Sequence, residues 1–143
     1  MMGNDRENWR DVEIGLPERV AGTLERMIAR GTTSWRTFAQ VDVGCMLVKY
    51  EAVVAIKEKF ANEADVQIMV FPVPGILREP GTGKYLEDAL KAGADFMVGI
   101  DPCELDRDPV RHLDVVFGLA ASCRWTSAST CTRRARRESF PRN

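Results

Sequence analysis

The chain has 143 residues and is 45% hydrophobic, which suits one domain with a real core but falls well short of the roughly 250 residues of a closed eight-unit β/α barrel. No apolar run approaches the ~18 residues needed to span a membrane, and the polar opening MMGNDRENWRDVEIG is unlike a secretory signal, so a cytoplasmic protein is expected. The formal net charge of −1 hides an asymmetry, because residues 122–143 carry six Arg against one Glu while residues 1–121 are acidic.

After a polar segment over residues 1–16, Pro17 sits where a first helical turn accepts it, and Val20, Leu24, Met27 and Ile28 recur at helical spacing up to a stop at Gly31. Thr33 to Gln40 reads as a strand, since Trp35, Thr37 and Phe38 favour extended backbone. A second helix is expected from about Cys45 to Phe60, with Val48, Ala52, Ile56 and Phe60 on one stripe. Val66 to Phe71 (VQIMVF) has the unbroken apolar character of a strand covered on both faces, and Pro72, Pro74 and Gly75 end it. A helix over Gly83 to Lys91, a strand over Ala94 to Ile100, and a helix opened by Asp108-Pro109 complete the order. Strands alternating with helices at this spacing give parallel β/α units with right-handed crossovers, in an open sheet or as part of a barrel.

Pro80 to Lys84 (PGTGK) is a turn into a helix rather than a phosphate loop, because Arg78 stands at the first required Gly and Tyr85 at the Ser or Thr. Cys45, Cys103, Cys123 and Cys131 form no CxxC pair and read as reduced thiols. Asp42 and Asp101 fall at or after strand ends, where such folds place their sites, and Asp101 serves equally as a turn former before Pro102.

Three stretches carry a resemblance. Arg36 to Val43 (RTFAQVDV) is similar to a strand of the form RTHVDV, Val66 to Leu77 (VQIMVFPVPGIL) to LQIVAFPQEGIL, and Tyr85 to Pro102 (YLEDALKAGADFMVGIDP) to LLEEALRLGADVVGG. Asp108 to Asp114 (DPVRHLD) fits the same pattern. Over about residues 17–121 the chain thus resembles the cytosine-deaminase-like branch of the amidohydrolase superfamily. The resemblance implies an α/β fold, a partial (β/α)8 barrel of about three parallel units with a leading helix. It also implies metal-dependent hydrolysis of C–N bonds in a cyclic amidine or nitrogen heterocycle. In that family one divalent metal, iron or zinc, is held by an HxH pair, a later His and an Asp, and a Glu shuttles the proton.

None of those ligands is expected here: the stretch follows the HxH strand, and the single His, His112, is read as a surface or second-layer residue at a helix start. No metal and no catalytic residue are therefore assigned, and the chain is expected to be inactive alone, with self-association through unpaired sheet edges. The positions expected to face substrate are Phe38 (His in the family), Gln40, Phe71, Val73 (Gln in the family) and Asp101. Losing those two polar partners points to a more apolar substrate.

Residues 122–143 lack periodicity. Back-translating Cys123 to Phe140 with GC-leaning codons and reading from the third base yields PVDVGIHLHEAGETGVF, which resembles the family's fifth strand with its metal His and Glu. The tail therefore reads as frameshifted. The alternatives are a disordered extension or a basic arm whose six Arg neutralise nucleic-acid phosphates without sequence preference. A non-catalytic β/α interaction protein is the competing reading for the whole chain.

Overall fold

The computed structural model describes residues 15–122. The readings of residues 1–14 and of the tail beyond Ser122, including Cys123 and Cys131, lie outside the described residues. Helix α1 (Leu16–Ile28) leads into β1 (Ser34–Gln40), α2 (Val48–Lys59), β2 (Asp65–Phe71), α3 (Thr82–Lys91), β3 (Phe96–Met97) and α4 (Pro109–Ser122). The three strands form one parallel sheet in the order β1-β2-β3, with Arg36 beside Gln67, Phe38 beside Met69, Gln40 beside Phe71, and Met69 beside Phe96.

The strands' period of two divides the sheet into a helix-covered face and an opposite face. Ala39, Val66, Ile68, Val70 and Met97 point into the main core, where Leu24 of α1, Val53 and Ile56 of α2, Leu86 and Ala89 of α3, and Val116 of α4 meet them. The opposite face carries Arg36, Phe38, Gln40, Gln67, Met69, Phe71 and Phe96. Part of it is covered, because Met69 and Phe96 form a second small cluster with Ala120 near the end of α4.

Two elements differ from expectation by more than one residue at an end. Helix α2 starts at Val48 rather than Cys45, because Asp42 organises the preceding residues into a turn. Its carboxylate accepts the N–H groups of Gly44 and Cys45, its carbonyl accepts that of Met46, and Met46 has φ 48°, outside the helical region. Strand β3 spans Phe96–Met97 rather than Ala94 to Ile100. Only its β2 side is paired among the described residues, with flanking bonds from Asp95 N–H to Ile68 and from Val98 N–H to Val70.

At the other edge, Thr33 C=O and Val41 N–H turn toward β2. In a parallel ladder both groups of one residue face the same side. Ser34, Arg36, Phe38 and Gln40 therefore direct their backbone groups to the edge of β1 that has no strand partner among the described residues.

Candidate functional site at the C-terminal ends of the strands

Parallel β/α folds build sites where the strands end, because the following loops converge there. Here β1 ends at Gln40 and β2 at Phe71, side by side. Phe38 and Phe71 meet edge to face, with centroids 5.5 Å apart and planes at 81°. Phe38 is 60% exposed, so the pair presents an aromatic surface rather than filling the core. Phe38, Gln40 and Phe71 line one groove of about 380 Å³, shared with Leu16 and Val20 of α1 and with Lys49.

A polar network fixes the Gln40 amide. Its Nε2 donates to Asp42 Oδ2 at 2.5 Å, and its Oε1 accepts from Lys49 Nζ at 2.7 Å. Asp42 itself is buried. Burial alone would raise its pKa, but hydrogen bonds from Gln40, Cys45 and Gly44 outweigh this and hold it below the ordinary aspartate value. Its contribution to stability is therefore present above that value, 3.8, and is lost as pH falls through the lower folded-state value.

Cys45 lies in the same turn and donates to Gln40 C=O at 3.4 Å. Burial and the neighbouring Asp42 charge push its thiol up to about 11. Since the thiolate is the nucleophile, iodoacetamide at pH 7.5 is expected to alkylate exposed Cys103 and spare Cys45. Peptide mass mapping checks this, and equal labelling of the two would contradict the buried turn.

The other two expected site residues lie apart from the groove. Val73 is half-buried in the turn directly after β2, where Gly75 N–H donates to Pro72 C=O. Asp101 is exposed on the loop after β3, at φ 28°, and its Oδ1 accepts Glu104 N–H. Its carboxylate thus closes a turn, the alternative role open to it from sequence. On the same sheet face as Phe38 and Gln40, Arg36 donates twice to Gln67 Oε1 (3.0 and 2.8 Å) and stacks 4.2 Å above the Phe96 ring, so it is a structural side chain.

His112 corrects the surface reading: its side chain is 2% exposed, and Nδ1 lies 2.5 Å from Asp106 Oδ2. Asp106 also accepts the N–H groups of Ile76, Leu77 and Arg78. Burial raises the Asp106 pKa, but His112 and these three N–H groups outweigh it and hold the acid below its ordinary value. The charged carboxylate can only accept, so Nδ1 carries the proton. Sequence reasoning missed this pair, since its signal is only the DRDPVRH run that precedes and opens α4.

These residues do not fit a catalytic metal. Such a site needs about three protein ligands converging on one point. Among the described residues no group of three His, Cys, Asp or Glu is so arranged. His112 Nδ1 is committed to Asp106, and its Nε2 faces the Gly99 backbone. Among the described residues, too, no helix is long and apolar enough to cross a membrane.

No family model matches the chain. It is 28% identical over 93 residues to N-isopropylammelide isopropyl amidohydrolase of Pseudomonas sp. (strain ADP), covering 65% of this chain and 23% of that protein. The solved N-isopropylammelide isopropylaminohydrolase of Burkholderia multivorans superposes with a TM-score of 0.68 at 40% identity, covering 69% of this chain and 25% of that one. The 5-methylcytosine deaminase of Klebsiella pneumoniae, solved with 5-fluorocytosine, gives 0.63 at 26% identity, covering 82% and 30%. The two solved relatives share the architecture of parallel strands and helices described above, and the chain spans about a quarter of the length of all three relatives. In sequence and in fold it belongs to the cytosine-deaminase-like branch of the amidohydrolase superfamily, as a fragment of that enzyme architecture.

Proposed function

We propose that this chain forms one wall of the substrate pocket of a metal-dependent hydrolase that cleaves non-peptide C–N bonds in a cyclic amidine or nitrogen heterocycle, and that it is inactive by itself. The observation that carries the reading is the meeting of Phe38, Phe71 and Gln40 at adjacent strand ends, in a segment that superposes on an aminohydrolase. Aromatic faces offer a flat apolar surface to a heterocycle. The Gln40 amide, oriented by Asp42 and Lys49, retains a second N–H and a second lone pair for a ring nitrogen or carbonyl. Val73, apolar where the family carries Gln, favours a less polar substituent.

Metals of this class lower the pKa of a bound water, and hydrolysis here requires donors that the described residues do not assemble. A cytoplasmic setting belongs to this proposal, where Cys45 and Cys103 stay reduced, as does self-association through the edge of β1 that is unpaired among the described residues.

The test is a chimera in which residues 34–98 replace their counterpart in the Burkholderia enzyme. Metal-dependent turnover within about a hundredfold of the parent is expected, the cost of a small misplacement of pocket groups. A folded, metal-loaded chimera with no turnover above background would contradict the proposal.

A further inference from the structure

We infer that Asp106 and His112 form a clasp that positions the turn bearing Val73 beside the C-terminal ends of β2 and β3, a role that rests on the pocket-wall reading above. Asp106 comes from the loop before α4, yet its partners Ile76, Leu77 and Arg78 belong to the loop after β2. One carboxylate thus joins two loops distant in sequence. It is fully buried, and its Oδ1 takes Leu77 and Arg78 while Oδ2 takes Ile76 and His112.

Two glycines leave room for the clasp. A Cβ on Gly75 would overlap Asp106 Oδ1, and Gly75 has φ 96°, which a side chain would strain. A Cβ on Gly99 would overlap His112 Nε2. With the Gly75-to-Pro72 turn bond holding one side and the clasp the other, Val73 is confined between two anchors.

Charged groups surround Asp106 from each neighbouring element: Arg78 from the β2–α3 loop, Glu104, Arg107 and Asp108 from its own loop, and Arg111 with His112 from α4. The hydrogen bonds that lower the Asp106 pKa keep the clasp closed above the ordinary aspartate value of 3.8 and release it as pH falls through the lower folded-state value.

The test is amide exchange on the full chain, with Asp106→Asn and Gly99→Ala. In Asp106→Asn one oxygen becomes a donor facing donors. Protection at Ile76, Leu77 and Arg78 is expected to fall roughly tenfold to a hundredfold, the range for hydrogen bonds to a charged group. Amides of Val66 to Val70 should keep their protection. Gly99→Ala should give the same local pattern by displacing the His112 ring, with Asp106 intact. In the wild type, protection of the three amides should drop below pH 3.8, and Asp106→Asn should lack that step.

In the chimera, extended to residue 114 so that it carries both partners, Asp106→Asn should raise KM about tenfold with metal content unchanged. Unchanged protection in both variants, a loss spread equally over β2, or an unchanged KM would overturn the clasp. The exchange readout needs no turnover, so an inactive parent chimera would remove the pocket-wall reading while leaving the clasp's hold on the loop measured separately.

Discussion

Ile68→Ala is expected to destabilise the fold by about 3 kcal/mol, within the range of roughly 2–5 kcal/mol for such truncations in a packed core. Ile68 is buried at the centre of β2, the only strand paired on both sides among the described residues. Its side chain belongs to the main core, and its N–H donates to Asp95 Oδ2 at 2.9 Å. The same oxygen accepts Lys57 Nζ at 2.7 Å, so the residue stands where core packing and a partly buried ion pair meet. A void there cannot collapse without moving β2 against both neighbours. For a domain whose total stability is on the order of 5–15 kcal/mol, the loss should lower the melting temperature by roughly 10–20 °C. Val110→Ala, on the exposed side of α4, should change stability by no more than about 0.5 kcal/mol. Urea melts of the two variants check the contrast, and similar midpoints would mean that the sheet's helix-covered face is not the core.

The order of elements was legible because each signal was local. The apolar run VQIMVF and the Pro-rich stop after it specify β2, and the spacing of Val20, Leu24 and Ile28 specifies α1. The Asp108-Pro109 start of α4 held for the same reason, with Asp108 Oδ1 accepting Arg111 N–H at 3.0 Å. What escaped the sequence depends on groups brought together from a distance. Cys45 looked helical, but Asp42 captures the next N–H groups first and delays the helix to Val48. Local bonding by Asp competes with helix initiation in this way.

The candidate site was partly legible for the same reason. Phe38, Gln40 and Phe71 share a face because the strand period is two and the register pairs Gln40 with Phe71. The burial of His112 was not legible, since it follows from where the loop after β2 meets the start of α4. A histidine at an exposed-looking helix start gives no hint of a carboxylate six residues earlier, folded beneath it.

We propose that the described residues shape one wall of a pocket but do not gather the donors that activate water. Phe38, Gln40 and Phe71 line one groove, while the one imidazole has its Nδ1 on Asp106 and its Nε2 packed close to Gly99. Tight metal binding needs several ligands in one place, so the effect expected is all-or-none rather than graded. The direct measurement is to load the purified chain with iron or zinc, desalt it, and determine bound metal alongside hydrolysis of N-alkylated triazines and cytosines. No stoichiometric metal and no turnover above the metal-free blank are expected. One equivalent of retained metal, with turnover that disappears on chelation, would overturn the proposal.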